Sequence, residues 1–95
     1  MKLTFTNEIT FSSGFYYSPA FVVDAKDDLI TVECTLVANG TAIIQSSIDG
    51  INWYDVADSS FSCAPNGLQS YADCQTDLLY RVKSSTSFTW IKILI

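Results

Sequence analysis

The sequence predicts an all-β fold, a single antiparallel β-sandwich of about seven to nine short strands. Three observations predict it: apolar and polar residues alternate in short runs, turn signals recur at roughly ten-residue spacing, and no segment has helical periodicity. The chain has 95 residues, 48% of them hydrophobic, which is enough for one core, so residues 1–95 are predicted to form one domain. A small barrel is the alternative arrangement of the same strands.

The first half of the chain contains the clearest strand. Residues 2–6 and 9–18 are predicted strands, the second with a bend or bulge at Gly14. Pro19 cannot donate to a sheet, so it ends this strand or lies on an edge. Residues 29–38 alternate cleanly, and the side chains predicted to share the inner face are Ile30, Val32, Cys34, Leu36 and Ala38.

Residues 41–56 predict a hairpin, because two β-favouring runs flank Asp49-Gly50. A two-residue turn mixes apolar and polar residues on both faces. A three-residue loop, Ile48-Asp49-Gly50, separates the faces better and puts glycine where a positive φ is needed. This register predicts that the inward side chains are Ala42, Ile44, Tyr54 and Val56, and that Trp53 points outward beside Gln45.

The second half is less regular. Residues 57–76 are predicted to be a long loop with one short strand at about 61–64. Residues 77–83 resume a strand with Leu78, Tyr80 and Val82 inward and Leu79, Arg81 and Lys83 outward. The last strand, 88–95, is apolar on both faces, so either it is central and covered on both faces or it meets a partner chain.

Composition excludes several classes of partner. Net charge is −5, and the five basic residues are dispersed, which disfavours nucleic-acid binding. The chain shows neither a secretory signal nor an apolar run of membrane-spanning length, so we expect synthesis in a cytoplasm and no membrane partner. Cys34, Cys63 and Cys74 are expected to be reduced thiols, with a Cys63–Cys74 disulfide as the alternative.

The sequence predicts neither an enzyme nor a cofactor site. It has no histidine, which excludes Ser-His-Asp and Cys-His arrangements, and it has no glycine-rich phosphate loop. The carboxylates fall mostly in turns, where solvated roles are usual. Asp58, Asp73 and Asp77 border the long loop, but their spacing fits no EF-hand, so no metal site is predicted.

One motif resembles a known family. The hairpin reads Gln45-x-Ser47-x-Asp49-Gly50-x-Asn52-Trp53-x-Asp55-Val56, and Tyr80-Arg81-Val82 and the apolar strand follow it. This order is similar to small β-sandwich virion proteins of tailed bacteriophages, including crAss-like phages. The resemblance covers the C-terminal part of the chain. It implies an immunoglobulin-like sandwich and a structural role, that of an auxiliary or decoration protein on the capsid surface.

The partners follow from this resemblance and from the apolar last strand. We expect contacts with the major capsid protein or neighbouring head or tail proteins, and localisation in the virion. The alternative is a carbohydrate-binding or adhesion module that stacks Trp53 or Tyr54 on a surface glycan. The candidate interface residues are Trp53, Phe61, Tyr71, Trp90, Ile91, Ile93 and Ile95.

Overall fold

The computed structural model describes residues 2–5, 8–23, 25–26 and 28–95, which form β-strands joined by turns. The strands are β1 Lys2–Phe5, β2 Thr10–Ser12, β3 Phe15–Tyr17, β4 Ile30–Leu36, β5 Gly40–Ser47, β6 Tyr54–Asp55, β7 Phe61–Cys63, β8 Asn66–Tyr71, β9 Leu79–Ser84 and β10 Phe88–Leu94. This part of the chain contains no helix.

The strands form two antiparallel sheets, which confirms the predicted β-sandwich. The first sheet has the order β1-β10-β4-β8, and the second has the order β2-β3-β9-β5-β6 with β7 also paired to β5. Alternate residues of the long strands point between the sheets and make one core. Its largest fully buried side chains include Tyr80, Ile30, Leu36, Ile44, Ile91 and Ile93.

The strand pairs are nested along the chain. β1 pairs with β10, β3 with β9, β4 with β8, and β5 with β7, so early strands meet late ones. A long hairpin wound into two sheets in this way is a jelly roll. The immunoglobulin order that the resemblance implied is different, with ABED and CFG sheets, although both topologies are two-sheet sandwiches.

The predicted bend at Gly14 is a tight hairpin. Thr10 pairs with Tyr17 and Ser12 with Phe15, which leaves Ser13 and Gly14 as the turn. Their φ angles are 53° and 87°, and two successive positive values match the right-handed twist of a hairpin. This turn places β2 beside β3, and β3 pairs on its other side with β9.

The apolar character of the last strand is explained by a bulge. β10 lies between β1 and β4, so it is central in its sheet. The register shifts between Phe88 and Trp90, and this shift turns Phe88 inward together with Ile91 and Ile93. The outer face of β10 then carries Trp90 and alternating partly exposed residues.

Residues 57–76 are more ordered than predicted. They contain β7 and also β8, which pairs with β4 from Asn66 to Tyr71. Ser59 fixes the start of the segment, because its buried hydroxyl accepts from the Ile44 N–H at 3.1 Å and donates to the Val56 carbonyl at 2.8 Å. The prediction of a long loop with a single strand is therefore wrong. The sequence did not reveal β8 because it is an edge strand with little apolar alternation.

All three cysteines are buried free thiols. The Sγ atoms of Cys34 and Cys63 lie 3.8 Å apart across the core, so Cys63 neighbours Cys34. The alternative Cys63–Cys74 disulfide is absent. Burial, with a smaller contribution from Cys63, raises the pKa of the Cys34 thiol to about 12.

Candidate binding surfaces

The structure divides the predicted interface residues into core and surface. Ile91 and Ile93 are fully buried between the sheets. The prediction that they contact a partner is wrong, because they pair with Cys34 and Val32 on the inward face of β4. Phe61, Tyr71 and Ile95 are partly buried and pack against the core.

The two tryptophans lie outside the core, one beside each sheet. Trp53 lies next to the second sheet and Trp90 on the outer face of the first, and each is partly exposed and lines a cleft. The surface features that follow are built around these two residues.

Residues 47–53, here called the Asp49 loop, replace the predicted three-residue turn. The observed pairs are Gln45 with Asp55 and Ser46 with Tyr54. The predicted register is wrong because the Asp49 side chain closes a longer loop: Oδ1 accepts from the N–H groups of Ile51 and Asn52, both at 2.9 Å. Such side chain-to-backbone bonds compete with a strand ladder.

The other motif residues complete the same loop. The Ser47 hydroxyl accepts from the Gly50 N–H at 2.8 Å and donates to Asp49 Oδ1 at 3.1 Å. Trp53 Nε1 donates to the Gly50 carbonyl at 3.3 Å, and Gly50 has a φ of 76°. The hydrogen bonds from Asn52 and Ile51 hold the pKa of Asp49 well below its usual range. The motif is therefore a loop scaffold.

The Asp49 loop displays two large apolar side chains. Ile48 is 83% exposed and Ile51 is 81% exposed. Tyr54, which follows the loop and was predicted to point inward, is 68% exposed, because it lies on the short strand β6 at the edge of the second sheet. A loop closed by internal hydrogen bonds thus presents apolar surface to solvent.

Next to this loop, two aromatic rings hold an arginine. The Cζ atom of Arg81 lies 4.0 Å from the Tyr17 ring centroid and 4.2 Å from the Trp53 ring centroid. The three residues are called the Arg81 clamp. β9 lies between β3 and β5, which places Arg81 opposite Gln45, and Arg81 Nε donates to Gln45 Oε1 at 2.9 Å. Gln45 Nε2 in turn donates to Asp55 Oδ1 at 2.9 Å.

The charge of Arg81 has no carboxylate partner within the described residues, where the one ion pair joins Lys92 and Glu33. Burial lowers the pKa of the Arg81 guanidinium, and Tyr17 opposes that shift. An arginine nevertheless stays charged at physiological pH. No buried side-chain nitrogen or oxygen among the described residues lacks a hydrogen-bond partner, so the unbonded Nη groups of Arg81 reach solvent.

A cleft of about 400 Å³ opens beside the Arg81 clamp. Its lining includes all three clamp residues, Gly50 of the Asp49 loop, and Thr10 and Ser12 of β2. The alternation of side chains in the sequence predicted that Arg81 and Trp53 point outward. Tyr17 lies beside them only because β3 pairs with β9, and no local sequence pattern predicts that pairing.

The first sheet carries a second cleft of about 400 Å³, lined by Trp90, Glu33 and Leu68 among others. Lys92 Nζ lies 5.7 Å from the Trp90 ring centroid and 3.8 Å from Glu33 Oε1. The cation near this ring is therefore already paired with a carboxylate of the protein.

Comparisons with known proteins return no match among family models, curated proteins or solved structures. Within residues 2–5, 8–23, 25–26 and 28–95, no group of three or more potential metal ligands occurs. The same residues include no helix that is long and apolar enough to cross a membrane.

Proposed function

We propose that this chain is a structural virion protein of a tailed bacteriophage, an auxiliary or decoration protein held on the capsid surface by protein–protein contacts. The observation that carries the proposal is the Asp49 loop, which holds Ile48 and Ile51 in solvent. The role is one of binding, and the chain acts without catalysis or cofactor.

The loop has the physical properties of a docking element. Ser47, Asp49 and Asn52 hold its backbone through internal hydrogen bonds, so little conformational entropy is lost when a partner covers it. Single exposed apolar residues are common, but here two isoleucines occupy one closed loop. Their burial against an apolar groove stabilises a complex by roughly 1.5–3 kcal/mol for each side chain.

The hairpin motif is the feature that links the proposal to phage virions. The resemblance to phage virion proteins rests on the residues that build the Asp49 loop, and the jelly roll is a fold that viral capsid and lectin domains share. A shared fold does not assign a function. The placement on the capsid therefore rests on the motif, and the docking role rests on the exposed loop.

A glycan-binding role is the second candidate function. The Arg81 clamp limits the predicted stacking of a sugar on Trp53. One face of the Trp53 ring is covered by the Arg81 guanidinium, so that face is closed to a stacking sugar. The cleft beside the clamp offers a different mode of recognition.

Co-sedimentation tests the proposed function. The purified chain is mixed with assembled shells of the major capsid protein from the same genome and centrifuged. We expect it to pellet with the shells, and we expect the double variant Ile48→Ser/Ile51→Ser to lose at least about tenfold in affinity, since two buried apolar side chains are removed.

The matched control is Leu68→Ser, because Leu68 is an apolar side chain of similar size, 63% exposed, on the other sheet. Both variants should keep the wild-type melting temperature. A wild-type chain that stays in the supernatant, or a double variant that pellets as well as Leu68→Ser, refutes docking through this loop.

A further inference from the structure

The cleft beside the Arg81 clamp has an unassigned binding capacity. We propose that it binds a carboxylate-bearing sugar, a uronic or sialic acid residue, through the outer edge of the Arg81 guanidinium. This inference is independent of the capsid role, because it concerns a cleft on the purified chain and needs no other virion protein.

The guanidinium is fixed in a geometry that suits a carboxylate. Its Cζ atom lies 4.0 Å from the Tyr17 ring centroid and 4.2 Å from the Trp53 ring centroid, and Gln45 Oε1 accepts a hydrogen bond from Nε. Cation–π contacts of this kind orient the guanidinium without neutralising its charge. The Nη edge is left to solvent, and that edge pairs with planar carboxylates through two parallel hydrogen bonds.

The rest of the cleft selects for hydroxyl groups. Thr10 and Ser12 line it with side-chain hydroxyls that form no hydrogen bond to other described residues, and the Tyr17 hydroxyl is likewise unbonded there. A simple carboxylate engages only Arg81. A sugar acid places ring hydroxyls beside these groups while its carboxylate meets the guanidinium.

Size and charge agree with this class of ligand. A cleft of about 400 Å³ lies within the range of small-molecule sites, which runs from roughly 300 to 1,000 Å³. The chain carries a net charge of −5, so it repels most anions. An anion that binds here is drawn by the local guanidinium, which has no ion-pair partner in the described residues.

NMR titration of the ¹⁵N-labelled chain tests the inference. The probes are glucuronate, galacturonate and N-acetylneuraminate, with glucose as the neutral counterpart of glucuronate. We expect at least one sugar acid to shift the Trp53 Nε1–H and Arg81 Nε–H signals, with an affinity at least about tenfold above that of glucose, as loss of a bidentate charged pair implies.

Two further probes distinguish the source of the carboxylate. Acetate has no hydroxyls, and N-acetylaspartate amide imitates a protein side chain. The inference requires both to bind more weakly than the best sugar acid. Equal binding by all carboxylates, or preference for the aspartate derivative, overturns the sugar assignment, and absence of any shift at the clamp overturns the site.

Variants complete the experiment. Arg81→Gln should abolish the response, while Lys92→Gln, the matched change on the other sheet, should leave it intact. Because Arg81→Gln also removes packing, a second variant changes only the exposed β2 strand: Thr10→Val/Ser12→Ala should lower the preference for sugar acids over acetate severalfold. An unchanged preference in this variant counts against the hydroxyl role.

Discussion

The two sheets carry similar parts on their outer faces but use them differently. Each has a tryptophan, a basic side chain and a cleft of about 400 Å³. On the first sheet Lys92 is paired with Glu33 and stands 5.7 Å from the Trp90 ring. On the second sheet Arg81 lies 4.2 Å from the Trp53 ring and has no carboxylate partner among the described residues.

The cation of the first sheet is neutralised by a carboxylate of the protein. The cation of the second sheet is held in place, but its charge has no such partner among the described residues. A surface pair such as Lys92–Glu33 adds little stability, and it lowers the attraction for outside anions. The Arg81 clamp keeps its charge available while fixing its orientation. Four predictions test how the two sheets differ.

Gly67→Ala should have the largest effect and should act on the first sheet. A Cβ at this position would overlap Cys63 Sγ and lie 2.9 Å from the Phe61 ring, so β8 must move. We expect a loss of about 1–3 kcal/mol in unfolding free energy, measured by urea denaturation. The control is Gly14→Ala, which meets no atom within 4 Å but has a φ of 87° and should lose about 1 kcal/mol. Equal stability of Gly67→Ala and wild type contradicts the close approach.

Arg81→Met should destabilise the second sheet by about 1–2 kcal/mol, because two cation–π contacts and the bond to Gln45 are lost. Lys92→Met, the equivalent change on the first sheet, should stay within about 0.5 kcal/mol of wild type. Thermal unfolding followed by circular dichroism measures both. Equal losses would mean that the rings contribute nothing beyond an ordinary surface contact.

Alkaline pH should weaken the core beneath the first cleft. Burial raises the pKa of Cys34 to about 12 and also raises the pKa values of Cys63, Tyr71 and Tyr80. The folded state therefore keeps protons that the unfolded state releases. The contribution of Cys34 is complete below about pH 8.5 and falls as pH rises toward 12, by up to about 1.4 kcal/mol per pH unit, and Cys63 acts in the same direction.

Urea denaturation between pH 8 and pH 11 measures this slope, and Cys34→Ala provides the comparison. The variant is less stable at neutral pH because a buried side chain is shortened, but its stability should fall less steeply with pH. Identical slopes for the two proteins exclude Cys34 as a source of the pH dependence.

Glu33→Gln should have the smallest effect on stability, within about 0.5 kcal/mol. It removes the partner of Lys92 and makes the first sheet resemble the second. We expect the Trp90 indole N–H signal to begin to respond to acetate in an NMR titration, more weakly than the Trp53 signal does, because an ammonium lacks the fork of a guanidinium. A Trp90 signal that responds equally in wild type shows that Glu33 does not block this cation.

Strand pattern and face assignment were predictable from sequence where alternation is strict. Residues 30–36 and 79–83 were assigned correctly because every second side chain enters the core. The Asp49 loop was not, since the facing argument counted apolar residues and ignored the competing hydrogen bonds of Ser47 and Asp49. β8 was missed because Gly67 and Gln69 carry no apolar signal.

The candidate site was only partly predictable. The alternation of side chains along the strands predicted that Trp53 and Arg81 point outward, and this prediction was correct. Tyr17 joins them through pairing between strands that are distant in sequence, and long-range pairing leaves no local trace. The bulge after Phe88 turns that side chain to the same inner face as Ile91 and Ile93, and the uniform apolar character of the strand conceals it.

The nested strand pairing also sets the order in which the chain can become stable. β10 is central in the first sheet and brings Ile91 and Ile93 to the core, although it is synthesised after every strand with which it pairs. A nascent chain therefore cannot complete its hydrophobic interior until β10 has left the ribosome. Such high contact order is typical of folding in milliseconds to seconds, and until then the unpaired edges of β1 and β4 are open to other chains.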